Sequence, residues 1–245
     1  MKNQTVSTKL MSLKQRDDII ATMIGFIPDE MTFDDAQGII GAKGEFGKGV
    51  RKAFESFVKT KTVRYHLSEQ ERFYEEVFGL ECDFSKVRVP VSREGFDRLI
   101  VLDERISTQM TFEKCQERFG AWKYTDLSLD EAVPTNDRDQ LNGTYAIWLR
   151  ETVKADEVHK DKSANDLKAS GIKGMTLRER LLLELFYEWK NSDQHLDLVN
   201  WTLCAGSRGS GGGGPGVGWD DGRLEVHWVS PGVRGDGLRS REAVS

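Results

Sequence analysis

Several things are scarce in this chain. There are three cysteines, Cys82, Cys115 and Cys204, odd in number and widely spaced, which suits reduced thiols and argues against a disulfide framework. No window approaches the roughly 18 to 20 consecutive apolar residues of a membrane-crossing helix. Met1 to Lys14 is polar and lacks the apolar core of a secretory signal, so a cytoplasmic location without a membrane span is expected. A basic stripe is also missing: 35 Lys+Arg stand against 40 Asp+Glu, a formal charge of -5, and without concentrated positive charge to replace phosphate counterions no nucleic acid is expected as partner. His66, His159, His195 and His227 lie far apart, with no two at ligand spacing, so neither a metal nor a cofactor is expected. What remains is 245 residues, 38% hydrophobic and 31% charged, the profile of a globular protein with room for one large or two small domains.

The first third reads as helical. Ile19, Ile20, Met23 and Ile24 share a face over Asp17 to Ile27, which Pro28 stops. Thr32 is an N-cap with Asp34 and Asp35 in the first turn of a second helix to Ile40. GAKGEFGKG is read as a helix–helix turn, because it lacks phosphate-loop spacing. Val50, Phe54, Phe57 and Val58 mark a third helix, and Ser68 with Glu71 a capping box that opens a fourth burying Phe73, Val77 and Phe78. Lys52, Lys59, Lys61 and Arg64 cluster, but Glu69, Glu71, Glu75 and Glu76 follow at once, so a solvated face is expected. The boundary of this helical module (1–86) is placed between Asp83 and Val91, where Val87, Val89 and Val91 begin to alternate as a strand would. Leu99 to Leu102 and Tyr145 to Leu149 are strand candidates, and Thr111 to Phe119 reads as a helix closed by Gly120. Lys154 to Gly174 reads as an exposed loop. Thr176 and Glu179 form a capping box for a helix to Lys190, with Leu177, Leu181, Leu182, Leu185, Phe186 and Trp189 on a wide apolar face.

After Leu203 the composition breaks. Residues 206–237 hold 12 of the 24 glycines, while Lys, Asn, Ile, Thr, Met, Gln, Tyr and Phe vanish. Lys, Asn, Ile, Thr and Met all use codons beginning with adenine, and Gly, Ser, Asp, Arg, Val and His include residues reached when the adenines of an Asn codon are replaced. Val217 and Trp219, then Leu224, Val226 and Trp228, take alternate positions, as strands with one packed face do. Gly216, Gly218, Glu225, His227 and Val229 fall on the opposite face.

The stretch from Trp201 to Ser245 resembles the variable region of diversity-generating retroelement variable proteins, which have a C-type-lectin-like fold of the formylglycine-generating-enzyme type. GMTLRERLLLELFYEW resembles that group's helix, GSRGSGG its glycine segment and SPGVRGDGLRSREAVS its closing segment, although Leu238-Arg239 stands where Phe-Arg is usual. The resemblance implies an α+β protein: an N-terminal helical module, then a C-type-lectin-like domain (87–245) with short, mostly antiparallel strands and a variable segment at about 205–237. It implies a non-enzymatic ligand-binding protein whose diversified surface meets an unknown protein or surface ligand. Trp201, Trp219, Leu224, Trp228 and Leu238 would hold the scaffold. The pattern singles out Arg208, Gly209, Ser210, Gly212, Gly214, Gly216, Gly218, Asp220, His227, Val229, Val233, Arg234 and Gly235 as binding positions. Glu225 is set aside, since Glu is not reached from an Asn codon with its third base kept. So many small residues make a shallow site with few anchors.

Two other classes compete. One is an enzyme of the formylglycine-generating group with Cys204 reactive; against it, Cys204 reads as a small core residue. The other is a structural or interaction protein with a flexible glycine-rich tail. Gly211-x-Gly213-x-x-Gly216 matches a dinucleotide fingerprint only formally, lacking the strand before it and the helix after. Asp220, Asp221 and Asp236 lack regular calcium-ligand spacing and read as turns. The helical module carries no motif for a partner, and homo-oligomerisation or tethering to another protein is its expected role.

Overall fold

The computed structural model describes residues 12–139, 141 and 143–245, and their side chains except those of 55, 56 and 58–61. The expectations for residues 1–11 and for the side chains of Val58, Lys59 and Lys61 lie outside the described residues. The fold is α+β. Contacts divide the chain into two compact units, Met1–Lys59 and Thr60–Ser245.

In the first unit, helix α1 (Leu13–Ile24) begins at a Ser12–Gln15 capping box and α2 (Phe33–Gly41) at a Thr32–Asp35 box. Each box satisfies backbone donors that the first helical turn would otherwise leave open. The helix–helix turn expected in the glycine-rich GAKGEFGKG is present but confined to Ala42, the rest of the stretch being helical. Ala42 ends α2, and α3 runs unbroken from Lys43 to Phe78, with Glu45 and Lys48 paired one turn apart at 2.7 Å. Ser68 therefore opens no fourth helix; the Glu71 carboxylate accepts the Phe84 amide at 2.8 Å instead.

The last turns of α3 belong to the second unit. Leu67, Phe73, Tyr74 and Val77 are buried there, so the division between units falls well before the expected 83–91. The elements that follow are β1 (Arg98–Leu102), α4 (Thr108–Phe119), β2 (Ala121–Lys123), α5 (Leu129–Ala132), β3 (Thr135–Asn136), β4 (Tyr145–Leu149), α6 (Ala164–Ala169), α7 (Leu177–Asn191), β5 (Trp201–Leu203), β6 (Ser207–Arg208), β7 (Gly214–Asp220), β8 (Arg223–Val229) and β9 (Leu238–Arg239). Antiparallel pairs β1–β4 and β3–β6 flank a five-stranded sheet ordered β2-β8-β7-β5-β9, in which β2–β8 and β5–β9 are parallel.

Three local expectations change. Val87 to Val91 forms no strand; Pro90 instead offers its carbonyl to Trp148 Nε1 at 2.8 Å. The cap of α4 is Ser107, whose hydroxyl accepts the Met110 amide, and Gly120 ends the helix at φ +79°. Lys154 to Gly174 is no exposed loop: Ala155, Asp156, His159, Ser163, Ala164 and Leu167 are buried. A polar segment can fold inward here because its carboxylate finds partners, Asp156 accepting from Arg150 at 2.5 Å and from the Glu242 amide at 2.8 Å.

Helix α7 is buried along nearly its whole length. The Thr176–Glu179 capping box is present, and Glu179 also binds Arg138 and the Tyr145 hydroxyl. Ser207 Oγ, from β6, accepts the Leu177 amide at 2.8 Å. No described helix is long and apolar enough to cross a membrane.

Candidate ligand-binding groove on the C-terminal hairpin

The hairpin β7–β8 pairs Val217 with Val226 and Trp219 with Leu224. Strand alternation sends these side chains to one face and Gly214, Gly216, Gly218 and Asp220, with Val229, His227, Glu225 and Arg223 opposite them, to the other. Val217, Leu224 and Val226 are completely buried in the main core. The glycine-rich tract is thus folded into β6, a turn and β7.

A charged cluster under the sheet holds the hairpin in place. Glu184, on α7, accepts from Leu196 N and His195 at 3.1 Å and from Trp219 Nε1 at 3.3 Å, and the His195 and Trp219 rings lie 3.9 Å apart. Arg180, fully buried, bridges Glu184 at 2.7 Å and Asp197 at 3.0 Å, and Asp197 also receives Arg241 at 2.9 Å and the Thr202 hydroxyl at 2.5 Å. Burial works to raise the Asp197 carboxyl, but Arg241 and Arg180 outweigh it and hold the group below its ordinary range. The closing segment joins this cluster: Ser240, Arg241 and Glu242 are buried, with Glu242 paired to Arg93 and Arg150.

On the outward face, one end is covered by α6, where Ala164 and Leu167 pack on Leu203, Val229 and Leu238. The other end stays open as a groove of about 290 Å³ lined by Trp201, Gly216, Asp220, His227, Val229 and Leu238. His227 sits between two indoles, with ring centroids 5.1 Å from Trp122 and 5.0 Å from Trp201. Its Nε2 lies 2.6 Å from Glu225, which also receives Arg223 at 2.8 Å. Burial pushes the Glu225 carboxyl up, yet the hydrogen bonds from His227 and Arg223 bring it below its usual value. Trp201 lies across Gly218 so closely that a Cβ there would stand 2.6 Å from its Cδ2.

The groove gathers four of the positions singled out from the pattern: Gly216, Asp220, His227 and Val229. Gly214 and Gly218 share the face but are buried in it. The remaining positions do not join the groove. Gly209 is buried beneath Trp228, whose Cη2 a Cβ would meet at 2.2 Å. Ser210 and Gly212 are exposed in the turn before β7, Gly212 at φ +81°. Arg208 donates to the carbonyls of Ala205 and Ser207 at 2.7 Å. Arg234 grips both oxygens of Asp166 at 2.8 and 2.7 Å, Val233 is exposed and Gly235 half-buried.

Three scaffold expectations are corrected. Trp228 is 37% exposed, resting on Gly209 and Gly213 because the inward side of its strand has run past the core. Trp201 and Leu238 are only half-buried and line the groove. Sequence reasoning missed Trp122 and set aside Glu225. Trp122 arrives by parallel pairing of β2 with β8, where it stands opposite Glu225, and no local pattern announces a pairing across that span. Cys204 is buried, and desolvation pushes its thiol up to about 12, the reverse of what activates a cysteine nucleophile. Comparison with family models, curated proteins and solved structures returned no match.

Proposed function

We propose that the protein is a non-enzymatic ligand-binding protein whose C-terminal hairpin presents a diversified surface to a protein or other surface ligand. On this reading it is a variable protein of a diversity-generating retroelement, built on a C-type-lectin-like domain of the formylglycine-generating-enzyme type. The observation that supports the reading is the division of labour along β7 and β8. Asp220, His227 and Val229 line the outward groove, while Val217, Leu224 and Val226, their inward neighbours, are sealed in the core. Outward side chains can change identity without altering the packing that fixes the backbone.

The decisive experiment is to sequence the DNA flanking the gene. A near-identical repeat of the last codons, differing opposite adenines and accompanied by a reverse transcriptase, is the expected result. Its absence would remove diversification from the proposal. A library varied at Asp220, His227 and Val229, selected against immobilised protein targets, tests binding separately: folded variants with new affinities are expected, and a library that never binds would overturn the role of the groove.

A further inference from the structure

The first compact unit carries apolar surface that its described residues leave uncovered. Between residues 12 and 54 no residue is buried. Yet α1 and α2 are 12 and 9 residues long, at the lower edge of and below the roughly 12 to 15 residues at which an isolated helix is even marginal in water. Their helicity therefore needs a covering surface. Ile20, Ile24, Phe26, Ile27, Ile40 and Phe46 line a continuous apolar groove between the two helices and the start of α3, and each is 47% to 82% exposed. If each offers about 100 Å² of apolar area, the groove alone presents roughly 600 Å², close to the roughly 800 Å² that one partner contributes to a stable interface.

We infer that this groove is covered by the same groove of a second copy of the chain, forming a two-fold symmetric dimer. Two arguments favour a copy over a different protein. A cover needed whenever the helices exist is best supplied by a partner always present with the chain. The surface is also self-complementary in charge. Asp29 and Glu30 stand on the α1–α2 connection beside Ile27, Pro28 and Met31, while Lys43 and Arg51 flank the Phe46, Val50 and Phe54 stripe of α3 by helical spacing. An isologous interface brings each acidic rim against the partner's basic rim twice. The inference does not rest on the ligand-binding reading, but it gives that reading a consequence: two variable grooves on one particle bind multivalent surfaces with avidity.

Sedimentation equilibrium of the full chain tests this directly. At about 10 μM, where interfaces of this size are populated, twice the chain mass is expected. Phe26→Asp should give the single-chain mass. Two charge-reversed chains, one carrying Asp29→Lys with Glu30→Lys and the other Lys43→Glu with Arg51→Glu, should each dissociate at least about tenfold more readily, the effect of roughly 1.4 kcal/mol. Mixed together, they should recover the dimer. A wild-type chain that stays monomeric with its helical circular dichroism intact would overturn the inference. So would a dimer indifferent to Phe26→Asp, or charge-reversed chains that fail to recover on mixing.

Discussion

Gly218 offers the sharpest test of how the hairpin is built. A methyl added there would stand 2.6, 2.9 and 3.0 Å from Cδ2, Cε3 and Cε2 of Trp201, well inside van der Waals contact, so Gly218→Ala must lift the indole off the sheet. Lifting a half-buried Trp exposes roughly 100 Å² of apolar surface, which at about 25 cal/mol per Å² costs about 2.5 kcal/mol. Partial reseating lowers this to about 2 kcal/mol, within the range for overpacked sites. The assay is urea unfolding of a double-mutant cycle with Trp201→Ala. Without the indole, Ala is the better strand residue by about 0.5 kcal/mol or more, so the sign of the Gly218→Ala effect should reverse. Gly211→Ala, whose Cβ finds ordinary contact with Trp228 at 3.8 Å, is the near-neutral control. A neutral Gly218→Ala, or the same penalty in both backgrounds, would refute the argument that Gly218 is glycine because Trp201 lies on it. The outcome also decides whether this position can vary freely.

Other predictions concern charge and chemistry. Asp197→Asn should cost about 3–5 kcal/mol, because it leaves Arg180 and Arg241 buried with one negative charge fewer; a loss under about 1 kcal/mol would mean the cluster is not ionised as described. Because the folded pKa of Asp197 lies below its ordinary 3.8, its contribution is intact above that value and is lost as pH falls through the folded pKa. Acid titration should show this slope in the native chain and a smaller one in Asp197→Asn. His227→Ala should cost about 1 kcal/mol, the scale of the one hydrogen bond lost to Glu225, while altering affinity for any ligand that occupies the groove; a loss above about 3 kcal/mol would make His227 a scaffold residue. Burial raises the Cys82 thiol to about 11 and the Cys204 thiol to about 12, so alkylation of the native protein at pH 8 should be slow at both and fast after unfolding. Rapid native labelling of Cys204 would revive the enzyme reading.

The parts of the chain with local, periodic determinants were legible from residue order. Thr176 and Glu179 announce α7 because a capping box is closed within four residues, and Thr32 announces α2 as an N-cap with Asp34 and Asp35 in the first turn. The alternation of Val217, Trp219, Leu224 and Val226 located the hairpin and its buried face, since strand geometry alone sets that period. Tertiary structure decided the rest. Ser68 and Glu71 carry the same capping signature, yet α3 runs through them because Glu71 is drawn to the Phe84 amide and Phe73 and Tyr74 into the core. Lys154 to Gly174 looks solvated by composition and is folded inward by neighbouring Arg150 and distant Glu242. The groove depends on α6 covering one end of the sheet face, on Gly218 beneath Trp201, and on a tryptophan from β2 that lies against His227. Residue order alone determined which side chains point outward from the hairpin; only long-range packing decided which of them share one groove, because pairing partners far apart in the chain leave no periodic trace in it.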